Sequence, residues 1–311
     1  MLILGRKYKF TQLELERLNK KFKNIATVRY TNRSQEEVLK EIENAVKEND
    51  FDILVLNTKA KVGDSIIKYL TNLQFEKRKK KIRIISIEHF MEEFLHKCYI
   101  PDDHKDLDFL EDIKPFNIVE YSLKRAIDIV GATTLAIIGS PFMIYSYFKI
   151  KKTSPGPILY RQKRVGYNNE EFTCMKFRSM HQDAEKHGVQ FAKENDDRIY
   201  PYGEFMRKTR IDELPQIINV LKGDMHFIGP RPERKHWTDK FEQQIPYYAE
   251  RHLIKPGITG WAQVMYPYGA NAEDAKQKLM YDLYYIKHWS ILLELKVVWK
   301  TILVVVGKKG V

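Results

Sequence analysis

Cysteine is nearly absent: two among 311 residues, Cys98 and Cys174, far apart in the chain. They support no disulfide framework, and a reducing compartment fits. Nine histidines are present, but none falls in an HExxH pattern or beside cysteines at zinc spacing. The common zinc sites are therefore not expected. No GxGxxG follows the first apolar run, where Gly5 stands alone, so a dinucleotide site is not expected either. The opening MLILGRKYKF carries too short an apolar run for a secretory signal. No internal repeat or low-complexity tract is visible. Acidic side chains are also in deficit, 41 against 53 Lys and Arg, for a net charge of +12. That excess implies an anionic partner: nucleic acid, anionic lipid or a phosphorylated substrate. The length suits two domains of roughly 100–200 residues each.

What is present begins with an alternation of short apolar runs and amphipathic stretches over residues 1–118. Strands are predicted at 1–4, 25–30, 51–57 and 82–87. Helices are predicted at 10–22, 34–48, 64–75 and 88–96. Ser34 and Glu37 form a capping box for the second helix. Strands alternating with helices predict an α/β, Rossmann-like domain with a parallel sheet. Its role is not legible; regulation, docking and oligomerisation all fit. The basic run 77–81 (KRKKK) is either a solvated loop or a contact for anionic lipid.

Residues 129–148 then run for twenty positions without a formal charge. As one helix they would just span a bilayer, roughly 30 Å at about 1.5 Å per residue. Pro141 at the centre lacks an N–H and crowds the carbonyl of Ile137, which predicts a kink or break, and Ser140 is placed to bond the freed carbonyl. Lys124 and Arg125 precede the run; Lys149, Lys151 and Lys152 follow it. Basic flanks on both sides favour a re-entrant helix-break-helix, residues 119–152, that dips in and returns. A single span and a buried soluble-core helix are the alternatives.

The last part, 153–311, opens with the turn-rich TSPGP. Strands are predicted at 158–160 and 171–177, flanking the basic RQKRVG run. Lys176 and Arg178 would share a face of extended chain and could grip a phosphate. Asp183-Ala184-Glu185 looks like a helix start. A helix is predicted at 211–221, with Asp212 and Glu213 in its first turn, where anions are favoured. Arg207, Lys208 and Arg210 precede this pair, and the rigid Gly229-Pro230-Arg231-Pro232-Glu233 follows. Two carboxylates ringed by guanidinium groups suit chemistry on a phosphate. Arginine binds phosphoryl oxygens with planar paired donors, and a carboxylate can attack phosphorus or hold a metal ion. Solvated ion pairs at a helix start are the plainer reading. The stretch 281–306, with Trp289, Trp299, Lys287, Lys296 and Lys300, suits an interfacial amphipathic helix or packing on its own domain. Lys308 and Lys309 could touch anionic lipid.

Taken in order, KRAIDIVGA (124–132), SPGP (154–157), RVG (164–166), KFRSM (176–180), TRIDELPQ (209–216), NVLKGDM (219–225), GPRPE (229–233), KPGITGWAQV (255–264) and YDLYYIKHWS (281–290) resemble the bacterial sugar transferase family. These are monotopic polyprenyl-phosphate phosphoglycosyltransferases. The resemblance runs from about Ser122 to the C-terminus and leaves the N-terminal domain outside. It implies an α+β monotopic membrane catalytic domain on the cytoplasmic face of the bacterial inner membrane. It implies Asp212 as a nucleophile that takes a phosphosugar from a UDP-sugar and releases UMP. A polyprenyl phosphate of the undecaprenyl type then accepts the phosphosugar. Glu213 would act as base or position the acceptor, and Mg²⁺ near Asp212 would offset diphosphate charge. Lys176, Arg178, Arg207, Arg210, Arg231 and Glu233 become the expected substrate contacts. Two departures, Met265-Tyr266 and Glu294, lie near loops expected to set sugar choice.

The partners so implied are the two substrates and inner-membrane lipid, with downstream glycosyltransferases and self-association left open. From a different class, a catalytically silent scaffold for glycan enzymes would fit, but the intact DELPQ run disfavours it. A nucleic-acid binder lacks a recognition motif, and the apolar segment argues against it.

Overall fold

The computed structural model describes residues 1–30, 32–58, 62–75, 82–101, 113–186, 188, 190, 196–267, 269 and 271–307. The basic run 77–81 and Lys308 and Lys309 lie outside them. The chain divides into two compact units, Met1–Tyr99 and Ile100–Val311.

In the first unit the order is β1 (Leu2–Leu4), α1 (Gln12–Asn19), β2 (Ala26–Val28), α2 (Gln35–Glu48), β3 (Ile53–Leu56), α3 (Asp64–Phe75), β4 (Arg83–Ser86) and α4 (Ile87–Phe90). A π-helical turn, Met91–Leu95, continues α4. The strands form one parallel sheet in the order β2-β1-β3-β4, as the alternation predicts. The capping box forms: Glu37 N–H donates to Ser34 Oγ at 3.3 Å and Ser34 N–H to the Glu37 carboxylate at 3.2 Å. Val38, Ile42 and Val46 then line one side of α2 and pack with Ile66 and Leu70 of α3 against Leu2, Leu4 and Leu54 of the sheet. Burying such side chains stabilises by about 1.5–3 kcal/mol each.

The second unit opens with α5 (Ile118–Thr153), 36 residues and so about 54 Å long. The expected break at Pro141 is not seen; the assigned helix runs through it. Proline removes the donor for the Ile137 carbonyl, and the Ser140 hydroxyl donates to that carbonyl instead, at 2.9 Å. Lys124, Asp128, Ala132, Gly139, Ser146 and Ile150 are buried. Their spacings of four and seven place them along one side of the helix. Ile129, Val130, Ile137, Ile138, Phe142, Ile144 and Phe148 are exposed. Among the described residues this is the one helix long and apolar enough to cross a membrane.

A β-hairpin follows, β5 (Leu159–Val165) with β6 (Glu171–Phe177), antiparallel from Leu159↔Phe177 to Val165↔Glu171. The basic run at 161–165, expected between strands, is thus itself strand, because it finds a full pairing partner in β6. Asp183 to Glu185 form turns rather than a helix start. Next come α6 (Pro201–Lys208) and α7 (Ile217–Lys222). Then come β7 (His226–Ile228), α8 (Lys235–Glu242), β8 (Gly257–Thr259), α9 (Trp261–Met265), α10 (Ala272–Lys287) and α11 (Ile291–Val306). The predicted single stretch 281–306 is two helices, with Ser290 capping the second.

The face of α5 that is buried meets this unit along most of its length. Ala132 packs with Ile217, Val220 and Met225. A Cβ on Gly139 would lie 3.3 Å from Leu214. Ser146 hydrogen-bonds Tyr202 Oη at 2.8 Å, and Ile150 packs with Phe177, Tyr200 and Met206. Lys124 and Arg125, read as a basic flank of the apolar run, are occupied by protein. Lys124 lies fully buried between Asp128 and Glu294. Arg125 donates to the Val220 and Leu221 carbonyls at 2.7 and 2.8 Å, capping the end of α7 together with the Gly223 N–H, which also donates to Val220.

Candidate active site

The acidic pair sits in a tight turn rather than an α-helix. Ile211–Gln216 is 3-10 and joins α6 to α7. Pro215 carries no N–H, and Arg210 enters the turn in the left-handed region at φ 60°, so the regular helix begins only at Ile217. Asp212 and Glu213 are both buried, at 7% and 5% exposure.

Their surroundings separate them. Glu213 is held by three cations: Lys176 Nζ at 2.8 Å and Arg231 Nη2 at 2.7 Å from Oε1, with Arg210 Nη1 at 4.0 Å. Burial pushes its carboxyl up, but Arg231, Lys176 and Arg210 outweigh this and hold it well below the usual range. Asp212 has no such clamp. Its Oδ1 is buried without a hydrogen-bond partner. Burial, then the Glu213 charge, pushes it up to about 6, against partial relief from Lys176, Arg207 and Arg210. One turn therefore presents a firmly ionised carboxylate beside one that is desolvated and electrostatically unsatisfied.

Backbone interlock sets where Arg231 points. Gly229 N–H donates to the Thr259 carbonyl at 2.9 Å and Gly257 N–H to the Pro230 carbonyl at 2.9 Å. A Cβ on Gly257 would lie 2.1 Å from Gly229 N, and one on Gly260 2.1 Å from Gly229 O. Only glycine allows the GPRP and KPGITG segments to lie this close. Beneath them Arg251 donates to the Arg231 carbonyl at 3.0 Å and pairs with Asp282 at 2.8 Å.

The expected residues do not all converge. Lys176, Arg210, Arg231 and Glu213 meet directly, and Arg207 is partly exposed at the end of α6. Glu233 lies farther along, 3.6 Å from Arg164. Arg178 is committed elsewhere: it is buried, and its Nε, Nη1 and Nη2 donate to the Pro157, Pro155 and Ser154 carbonyls at 2.7, 2.8 and 2.5 Å. That arrangement pins the chain leaving α5 and turns each nitrogen of the guanidinium to a backbone carbonyl. Glu294, expected near a loop that sets sugar choice, is instead seen in a buried network in the first turn of α11. It is 1% exposed and accepts from Lys124, Trp289 and Tyr285, so Trp289 turns inward too.

Sequence reasoning missed the supports. Asn219 accepts from Met175 N–H at 3.1 Å and donates to Thr173 at 2.8 Å, tying α7 to β6. Asp128 accepts from Phe227 N–H at 2.8 Å and lies 2.6 Å from His226 Nδ1. A Lys and an Asp four residues apart at the head of an apolar run were the available signal, since charges there need partners.

Mg²⁺ would find a hard oxygen in Asp212 Oδ1, which lacks a donor. Among the described residues no group of three or more His, Cys, Asp or Glu could hold a metal. An ion here would need one carboxylate plus substrate phosphate oxygens, which is how Mg²⁺ is commonly held.

A membrane-associated domain with a buried acidic pair among arginines defines a class of enzyme-like site for phosphate chemistry. The family model described as bacterial sugar transferase matches residues 119–308, and the chain belongs to that family. Over 200 residues it is 46% identical to the UDP-N-acetylgalactosamine-undecaprenyl-phosphate N-acetylgalactosaminephosphotransferase of Aeromonas hydrophila, covering 64% of this chain and 47% of that one. It is 40% identical over 190 residues to the UDP-glucose:undecaprenyl-phosphate glucose-1-phosphate transferase of Escherichia coli K12, covering 60% and 41%. The enzyme of the same name from Caulobacter vibrioides is 39% identical over 181 residues, covering 58% and 68%. The chain thus spans less than half the length of the first two.

Proposed function

We propose that the protein moves a phosphosugar from a UDP-sugar to a polyprenyl phosphate of the undecaprenyl type. The observation that carries this is the buried, unpartnered Oδ1 of Asp212 beside a Glu213 already neutralised by Arg231 and Lys176. The relatives' names, as transferases of a sugar phosphate from a UDP-sugar to undecaprenyl phosphate, support the same reading.

In the first step the Asp212 carboxylate attacks the sugar-bearing β-phosphorus. The bond from that phosphorus to the bridging oxygen breaks, UMP leaves with the electron pair, and a phosphosugar–Asp212 acyl phosphate remains. In the second, a phosphate oxygen of the polyprenyl phosphate attacks the same phosphorus. The acyl-phosphate P–O bond breaks, the Asp212 carboxylate is regenerated, and polyprenyl-diphosphate-sugar is released. Splitting one hard displacement into two is what a protein nucleophile contributes. Removing water from Asp212 makes it more reactive once ionised. Arg231, Lys176 and Arg210 supply positive charge where the phosphoryl oxygens gather. Glu213, held well below the usual carboxylate range, is poorly suited as a base and acts by orienting Arg231 and Lys176. Bound through Asp212, Mg²⁺ would offset the charge of the diphosphate.

The monotopic reading rests on packing. Lys124 and Asp128 near one end of α5, and Ser146 and Ile150 near the other, all contact the same catalytic unit. A helix spanning the bilayer would put these contacts on opposite faces. The exposed apolar side of α5 and of α11, where Leu292, Leu295, Trp299, Ile302 and Leu303 face outward, would then enter one leaflet from the cytoplasmic face of the inner membrane. That brings the turn to the level of the lipid phosphate.

The test is UMP release from a panel of UDP-sugars by detergent-extracted full chain with Mg²⁺ and undecaprenyl phosphate. Release with one sugar, lost in Asp212→Asn, is the expected result. No UMP from any donor by folded, membrane-bound protein would favour the scaffold reading.

A further inference from the structure

The acidic turn and the arginine clamp come from separate segments, and both rest on the same helix at a glycine. Leu214, which follows Glu213 directly, lies against Gly139 of α5, where a Cβ would sit 3.3 Å from Leu214 Cδ1 and 3.4 Å from Cδ2. Phe227 of β7 lies against Gly131 of α5, where a Cβ would sit 2.8, 3.0 and 3.1 Å from three ring carbons. The two glycines are about 12 Å apart along the helix. Ala132, next to Gly131, is fully buried in the cluster against which Leu214 and Phe227 both pack.

Each contact is joined through a short piece of chain to a group that the reaction needs. Asp212 stands two residues before Leu214. On the other side, Asp128 of α5 holds β7 through the Phe227 N–H at 2.8 Å and His226 Nδ1 at 2.6 Å. β7 pairs in parallel with β8 and runs into Gly229-Pro230-Arg231, where proline fixes the backbone just before the arginine. Arg231 then reaches back to Glu213, Nη2 to Oε1 at 2.7 Å. The circuit from α5 through Leu214, Glu213, Arg231 and Phe227 returns to α5. Close-packed interiors transmit strain, so a displacement at either glycine is carried to the ion pair.

We propose that α5 is the template that holds the acidic turn and the arginine clamp in register, with Gly131 and Gly139 as positioning residues whose missing side chains set the spacing. The proposal rests on the phosphotransferase reading above. The helix itself does not call for glycine at either place. Both lie inside α5 without positive φ, where alanine is the better helix former. What alanine cannot supply is the close approach. At Gly131 the added carbon would stand 2.8 Å from the Phe227 ring, well inside the optimum of about 3.5–4.0 Å between carbons. The ring must move, and β7 and Arg231 with it. At Gly139 a methyl meets the ends of a leucine, which can turn aside, so a bulkier side chain is needed to push the acidic turn. A misplacement of about 1 Å in a reacting group can cost roughly a hundredfold in rate.

The experiment is a double-mutant cycle on the full-length detergent-extracted protein: wild type, Gly131→Ala, Phe227→Ala and the two combined. UMP release from the UDP-sugar that the wild type converts gives kcat and KM, and thermal unfolding is followed in parallel. Gly131→Ala is expected to lower kcat about tenfold or more, with KM within about threefold and Tm not lowered, since alanine favours the helix. In the Phe227→Ala background the added methyl has room, and the same substitution is expected to cost less than about threefold. A kcat of Gly131→Ala within twofold of wild type would overturn the proposal. So would an equal loss in both backgrounds, or a loss that comes with a lower Tm, which would make Gly131 a packing residue only. Gly139→Val, with and without Leu214→Ala, repeats the cycle at the other contact and decides the matter if Gly131→Ala does not fold; relief by Leu214→Ala is expected, and its absence would overturn the proposal. A wild type that releases no UMP from any donor would overturn the phosphotransferase reading, and this role with it. The other outcomes arise only with an active wild type, so the two failures are distinct.

Discussion

Arg231 meets Glu213 with both terminal nitrogens, Nη2 2.7 Å from Oε1 and Nη1 3.4 Å from Oε2. The contact fixes the arginine fork, and the Glu213 charge raises the carboxyl next to it. Two functions of one residue can therefore be separated by pH. If Asp212 must be ionised to attack, kcat/KM in the wild type falls as pH drops through about 6. In Glu213→Gln the neighbouring charge is gone while Lys176 and Arg231 remain. The acid limb should then move to lower pH by roughly one unit, while the maximum rate falls by roughly a hundredfold from the loosened clamp. An acid limb that stays in place would sink the electrostatic link between the two carboxyls.

Asp212→Asn should abolish transfer and yet stabilise the fold at neutral pH. The sign follows from linkage. A carboxyl raised from 3.8 to about 6 in the folded protein binds its proton more tightly there than in the unfolded chain. Its contribution is therefore favourable below about pH 4 and is lost as pH rises through about 6. The amide carries no charge to desolvate, so the variant should gain on the order of 1–3 kcal/mol at pH 7.5. The gain should shrink toward zero at pH 4.5. Thermal unfolding of both proteins at the two pH values measures it, and a lower Tm for the variant at pH 7.5 would count against the burial argument.

Glu294→Ala should be far more damaging than its distance from the acidic pair suggests. Removing it takes one of two carboxylates from the fully buried Lys124 and an acceptor from both Trp289 and Tyr285. Breaking a buried ion pair in this way costs about 3–5 kcal/mol, a Tm drop of roughly 10 °C for a unit of this size. Glu294→Gln should recover part of it, because the tryptophan and tyrosine bonds survive. Equal Tm values for alanine variant and wild type would show that Lys124 has another partner.

Much of this was legible before any coordinates, for identifiable reasons. Short apolar runs mark the N-terminal strands because β1 and β3 bury successive residues, helical spacing marks the helices because each buries one side, and Ser34 with Glu37 announces a helix start through local bonds alone. The acidic pair stood out because Arg207 and Arg210 precede it in sequence, although its closest cations, Lys176 and Arg231, come from β6 and the GPRP turn. What was not legible depends on distant contacts. Arg178 looks like a phosphate ligand until three carbonyls from residues 154–157 close around it. Lys124 reads as the basic flank of an apolar run until Glu294, 170 residues away, meets it. Pro141 argues for a break on backbone grounds, and the Ser140 hydroxyl answers part of that argument in place.

The topology of α5 is the remaining expectation, and its packing makes it testable without function. Val119 and Lys152 lie near opposite ends of a helix about 54 Å long, and both are exposed. The native Cys98 and Cys174 are buried, so a membrane-impermeant maleimide should report mainly on cysteines placed at these two ends. If both ends stay with the catalytic unit on one leaflet, Val119→Cys and Lys152→Cys should each label in inverted inner-membrane vesicles and stay silent in intact spheroplasts. Labelling from opposite sides would mean that α5 spans the bilayer. The Lys124–Glu294 and Ser146–Tyr202 contacts could not then both exist in the membrane-bound protein. Pro141→Ala sharpens the comparison, because it restores the missing backbone donor and favours a straighter helix. If the proline keeps the helix from crossing, the variant should shift part of the labelling of one end to the other face; an unchanged pattern would assign the one-sided topology to the packed face of α5 alone.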